Sequence, residues 1–134
     1  MKWEPISPSR GDIIRVKHKF YYHYGIYVDD GNVIQFGLAE DAVGRAEDVK
    51  VLSSDISAFA MGADVECAVL SLKERSSRRS PDETCRYAED HIGDGNYNIL
   101  HNNCEHFAYS CVFGEKSAPG MDSIRDRIRK KLKK

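Results

Sequence analysis

No stretch of this 134-residue chain approaches the ~18 consecutive apolar residues of a membrane span, and the opening MKWEPISPSRGD has no apolar core of the kind a secretory signal carries. A cytoplasmic location is the default expectation. The four cysteines, Cys67, Cys85, Cys104 and Cys111, sit at irregular spacing, which favours free thiols over a disulfide framework. Charge of either sign is not in excess: the net charge is −1, so no nucleic-acid partner is expected. Internal repeats and low-complexity segments are also missing. What remains, with 41% hydrophobic and 31% charged residues, is the composition of one ordinary globular domain. A monomer is expected.

Strand signals fill the first half. Ile13, Ile14 and Val16 make a β-branched run at Asp12 to Lys17, and YYHYGIYVDDGNVIQFG reads as a hairpin of Tyr21 to Val28 and Asn32 to Phe36. Lys50 to Ser53 continues the sheet, residues 38–49 read as loop, and Ser54 or Asp55 caps a short helical turn through Ala60. A further strand is predicted from Asp64 to Leu72. The polar run KERSSRR, 73–79, marks a change of structure type, after which Ser80, Pro81 and Glu83 start a helix that Gly93 stops. After an extended piece at Tyr97 to Leu100, Asn102 or Asn103 caps a second helix ending at Gly114, with Cys104, Phe107, Ala108 and Cys111 spaced i, i+3, i+4, i+7. The expected class is α+β, an antiparallel β-sheet packed against helices.

The tail differs in kind. From residue 121 it carries seven Lys/Arg against two Asp, and Ile124, Ile128 and Leu132 recur every four residues. That pattern predicts a basic amphipathic helix in peripheral contact with anionic membrane through residues 121–134. The chain thus divides into a domain at 1–114 and a tail at 115–134.

Two residues are candidates to carry chemistry. A cysteine nucleophile must become thiolate, and the usual means are a helix N-terminus and a nearby histidine. Cys104 sits in the first turn of its predicted helix, whereas Cys111 lies two turns on. His23 occupies a strand in which the same-face neighbour Gly25 lets another backbone approach closely. Sulfur and imidazole together would be nucleophile and general base. Glu105 and His106 adjoin Cys104 but point roughly 100° and 200° around the helix from it, which suits capping or packing. His101-x2-Cys104-x-His106 has no fourth ligand at metal-site spacing, so no metal is expected, nor any other cofactor.

The box HYGIYVDDGNVIQF followed about seventy residues later by YNILHNNCEHFAYSCVFG resembles the lecithin:retinol acyltransferase-like family, a permuted branch of the papain-like cysteine hydrolases. The matches are Gly11-Asp12 opening the first strand, His23, Asp30-Gly31 in the turn, and Asn103 to Phe107. The resemblance implies a permuted papain-like fold and a thiol-dependent acyltransferase or phospholipase A-type acylhydrolase. It implies a lipid acyl donor, an acyl-cysteine intermediate on Cys104, and His23 as base. A second histidine common in the family, twelve residues after the first, is here Gln35. An amide oxygen can accept an imidazole N–H and orient His23, but it cannot ionise. Tyr21, Tyr22 and Tyr24 could line an acyl cleft, and Tyr21 or Tyr22 could assist an oxyanion hole. Two other readings stand beside this one: a cysteine peptidase or isopeptidase of the same superfamily, and a non-catalytic domain that binds lipid or a partner.

The role of Gln35 depends on register. A two-residue turn at Asp30-Gly31 counts back to Ile26 opposite Gln35, on the wrong face. A three-residue loop, Asp29 to Gly31 with Gly31 left-handed, puts Gly25 opposite Gln35 and His23 on the same face. The three-residue loop is the expected one.

Overall fold

The computed structural model describes residues 1–18, 21–38, 49–95 and 103–114. The tail beyond residue 120, the extended piece at 97–100 and most of the predicted 38–49 loop lie outside them. The strands are β1 (Lys2–Glu4), β2 (Asp12–Lys17), β3 (Tyr22–Asp29), β4 (Asn32–Leu38), β5 (Val49–Ser54) and β6 (Val65–Val69), and the helices are α1 (Ile56–Ala60), α2 (Leu72–Ser77), α3 (Pro81–Asp90) and α4 (Asn103–Phe113). The strands form one antiparallel sheet in the order β1-β6-β2-β3-β4-β5. The class is α+β.

Alternation along the strands sorts the side chains onto two faces. Ile13, Tyr24, Ile26, Ile34, Phe36 and Val51 turn to one face and pack against Cys85 and Ala88 of α3 and Phe107, Ala108 and Cys111 of α4. Ile14, Val16, Val33 and Cys67 turn to the other, under Phe59 and Ala60 of α1. Helix α4 is not the one-sided helix its spacing predicted. Every residue from Phe107 to Phe113 is buried, so it is the central helix of the core. Arg79 holds its C-terminal end, Nη1 donating to the carbonyls of Ser110 at 2.5 Å and Cys111 at 3.0 Å. Among the described residues no helix is long and apolar enough to cross a membrane.

Gly11 has a structural reason. Its φ is +86°, and a Cβ there would lie 2.6 Å from the Cα of Pro81, so only glycine lets the start of α3 pack against the entry to β2. Asp12 secures the same corner by accepting from the Ser9 N–H at 2.8 Å.

Four expectations require correction. The strand from Asp64 to Leu72 ends at Val69, because Ser71 and Glu74 form a reciprocal capping box that starts α2 at Leu72 and carries it into the KERSSRR run. Strand β1 was not anticipated: three residues beside Pro5 give too short a run to read, and pairing with β6 creates it. Leu38 and Val49 belong to strands rather than loop. The hairpin is closed by a two-residue turn, with Asp29 opposite Asn32, and Gly31 is not left-handed. The register then shifts by one between Tyr27 and Asp29, and this bulge returns Gly25 to Gln35. The predicted pairing holds for a different reason.

Candidate active site

The sheet forks where the site is built. Pairing between β3 and β4 runs through Tyr27–Val33 and Ile26–Ile34 to Gly25–Gln35 and stops there, although β3 begins at Tyr22 and β4 continues to Leu38. Alternation aims the N–H and C=O of Tyr22 and Tyr24 at this side of β3, since the carbonyls of Tyr21 and Tyr27 meet β2 and its approach. The N-terminal turn of α4 approaches the opening. Cys104 Sγ lies 3.9 Å from the Tyr22 carbonyl oxygen.

Burial raises the Cys104 pKa. The backbone N–H groups of Tyr24, Glu105 and Cys104 itself pull it back down, and the Glu105 carboxylate raises it again. Burial wins, so the resting sulfur is a thiol, not the preformed thiolate that a helix start alone suggests.

His23 and Gln35 lie together on the α1 face. The His23 ring is 5.2 Å from that of Phe59 and 6.0 Å from that of His18, and Gly37 flanks it, its ideal Cβ position 3.7 Å from Cε1. Its Nε2–H donates to Oε1 of Gln35. Burial lowers the His23 pKa, with the Gln35 bond opposing and the His18 charge adding to the fall. Both shifts favour a neutral pair at neutral pH, thiol and imidazole rather than thiolate and imidazolium. Among the described residues no hydrogen bond joins Cys104 to His23; the thiol reaches the carbonyl of the residue that precedes His23.

The three tyrosines lie in different surroundings. Tyr21 is 57% exposed, its ring 5.2 Å from that of His18. The Tyr22 ring lies on the α4 face beneath the Arg15 guanidinium at 4.0 Å. Tyr24 is buried there, its ring 5.7 Å from that of Trp3. Tyr22 and Tyr24 both meet the sulfur through backbone groups. Among the described residues no cluster of three or more His, Cys, Asp or Glu side chains suits a metal ion, and His101 lies outside them.

Sequence reading missed Ser54. The Gln35 amide Nε2–H donates to Ser54 Oγ at 2.6 Å, and the Ser54 hydroxyl donates to the Asp55 carbonyl at 3.2 Å. The signal was hidden because the pairing of β4 with β5 spans residues 39–48.

The family model of lecithin retinol acyltransferase matches residues 6–117, which include strands β2 to β6, helices α1 to α4, His23, Gln35 and Cys104. The chain belongs to this family. Human lecithin retinol acyltransferase is 30% identical over 148 residues, covering 95% of this chain and 64% of the relative. Mouse phospholipase A and acyltransferase 3 is 26% identical over 133 residues, covering 92% and 80%. Human phospholipase A and acyltransferase 2 is 27% identical over 121 residues, covering 80% and 72%. The chain therefore spans just under two thirds of the length of the lecithin retinol acyltransferase it matches, and most of the length of the phospholipase A and acyltransferases.

Within this family member the four thiols differ in a measurable way. Cys104 is half-buried while Cys67, Cys85 and Cys111 are buried. Burial and the bond to Asp12 push Cys67 up to about 12, and burial also raises Cys85 and Cys111. Iodoacetamide at near-neutral pH should therefore modify Cys104 first, with peptide mapping as the readout. Equal labelling of all four would remove its distinction.

Proposed function

We propose that this domain is a thiol-dependent acyltransferase or phospholipase A-type acylhydrolase that forms an acyl-Cys104 intermediate from a glycerophospholipid ester. His23 is the base, and Gln35 orients it. The observation that carries the reading is the hydrogen bond from His23 Nε2–H to the Gln35 amide oxygen. That oxygen only accepts, so Nε2 holds the ring proton and the lone pair sits on Nδ1. A neutral imidazole with its lone pair on a defined nitrogen is what a general base requires at neutral pH.

The steps follow from the neutral pair. Nδ1 takes the thiol proton as Sγ attacks the ester carbonyl, and the carbonyl π electrons move to oxygen. Collapse breaks the ester C–O bond, and the imidazolium returns its proton to the departing lysolipid oxygen. Water or an acceptor alcohol or amine then gives its proton to Nδ1 and attacks the thioester, and the thiol is restored. Thiol and base must close up when substrate enters, since catalytic hydrogen bonds often tighten only in the complex. The three backbone N–H groups near Sγ stabilise the thiolate as it forms. The basic tail from residue 121, with Ile124, Ile128 and Leu132, would hold the domain at anionic lipid surfaces.

The names of the relatives, acyltransferase and phospholipase A, favour lipid esters over peptides. Incubation with short-chain phosphatidylcholine should release lysophospholipid, and hydroxylamine should intercept the acyl group as a hydroxamate. Cleavage of isopeptide substrates with no lysophospholipid formed would replace this reading by the peptidase one. Gln35→Ala should slow acylation about tenfold, an orienting share of the ~10²–10⁴-fold that a general base supplies, and Gln35→His should leave it unchanged or raise it. An unaltered rate in Gln35→Ala would remove Gln35 from the site.

A further inference from the structure

Ser54 stands outside the roles assigned so far, and its hydrogen bonds decide which way the Gln35 amide faces. It is the last residue of β5, directly opposite Val33 and diagonal to Gln35 on the α1 face, and it is half-buried. A serine hydroxyl has one proton and can also accept. Here the proton goes to the Asp55 carbonyl, which also receives the Phe59 N–H at 3.0 Å as the first bond of α1. With its proton so placed, Ser54 Oγ can only accept from Gln35, at 2.6 Å. The amide must then turn NH2 to Ser54 and its oxygen to His23.

The opposite arrangement would also bond Ser54, Gln35 and His23, but it gives up the Ser54 bond to the Asp55 carbonyl and is wrong for catalysis. If Ser54 donated to Gln35 Oε1, the amide NH2 would face His23 and require a bare Nε2, placing the ring proton on Nδ1. The base nitrogen would be blocked. A histidine at position 35 could adjust its own tautomer, whereas an amide has a donor end and an acceptor end that only its surroundings can choose between.

We propose that Ser54 is a positioning residue that, through Gln35, holds His23 in the tautomer with Nδ1 free. The chain of bonds runs from His23 Nε2–H to Gln35 Oε1, from Gln35 Nε2–H to Ser54 Oγ, and from the Ser54 hydroxyl to the Asp55 carbonyl. It starts at the N-cap of α1, where Asp55 accepts the Ala58 N–H at 2.7 Å, so the short helix anchors the network at its far end. The catalytic meaning of this role rests on the proposed function, but the tautomer itself does not.

The test reads both separately, in the full chain labelled with 15N-histidine. Above the His23 pKa, its ring nitrogen shifts should report Nε2–H in the wild type and in Ser54→Thr, and a mixture of tautomers in Ser54→Ala. Acylation of Cys104 by short-chain phosphatidylcholine should fall about 5-fold in Ser54→Ala, well short of the ~10²-fold or more for loss of the base, and recover in Ser54→Thr. In a Gln35→Ala background, Ser54→Ala should slow acylation no further, because the effect passes through Gln35. An unchanged tautomer in Ser54→Ala, or an equal loss in the Gln35→Ala background, overturns the role of Ser54. A tautomer that responds while the wild type forms no acyl adduct keeps Ser54 as the positioning residue and overturns the acyl-transfer reading instead.

Discussion

His23→Ala is expected to slow acylation of Cys104 by about 10²–10⁴-fold near pH 7, the usual contribution of a positioned general base. The pH dependence identifies the cause. In the wild type, burial holds the imidazole below its ordinary pKa and the thiol above its own. The acylation rate should therefore rise with pH on the acid side of the ordinary histidine value, then reach a plateau across neutrality while the neutral pair persists. Without the imidazole, only thiolate formed by solvent can attack, and burial makes that species scarce. The residual rate of His23→Ala should climb about tenfold per pH unit and keep climbing into the alkaline range, so the gap to wild type narrows as pH rises. Single-turnover rates from pH 5 to 10 would show it. A His23→Ala profile parallel to the wild type would mean that the imidazole is not the base.

Cys104→Ala should abolish acylation at every pH while the domain stays folded. The side chain is half-buried at the edge of the larger core, and removing one sulfur there costs about 1 kcal/mol or less. Cys111→Ala, at a site buried within that core, should cost at least as much in stability and leave acylation intact. Thermal or urea denaturation of the two variants beside their acylation rates separates nucleophile from packing residue. Lysophospholipid release by Cys104→Ala would end its assignment.

Local signals made much of this legible. The β-branched run of β2, the Asp55 cap of α1 and the Ser80-Pro81 start of α3 each act within a few residues and formed where the sequence placed them, and the hairpin formed there with a shorter turn. Elements that depend on partners were not legible: β1 exists through β6, and Ser71-Glu74 diverted a run that reads as strand. The same division applies to the site. Cys104 and His23 each stand out locally, and Gln35 follows from register, reached here through a bulge near Val28 rather than the expected loop. Ser54 could not be found, because no local rule says which strand pairs beyond residues 39–48. A helix start at Cys104 is visible in sequence, whereas the burial that raises its pKa is a property of the packed core.

Intact-protein mass spectrometry, on samples quenched in acid within seconds of mixing with a short-chain phosphatidylcholine, tests the acyl-cysteine chemistry most directly. The expected result is one added acyl group, mapped by peptide analysis to Cys104, labile to hydroxylamine and missing from Cys104→Ala. Lysophospholipid accumulating while the protein keeps its unmodified mass, or an acyl group mapped to another residue, would contradict it.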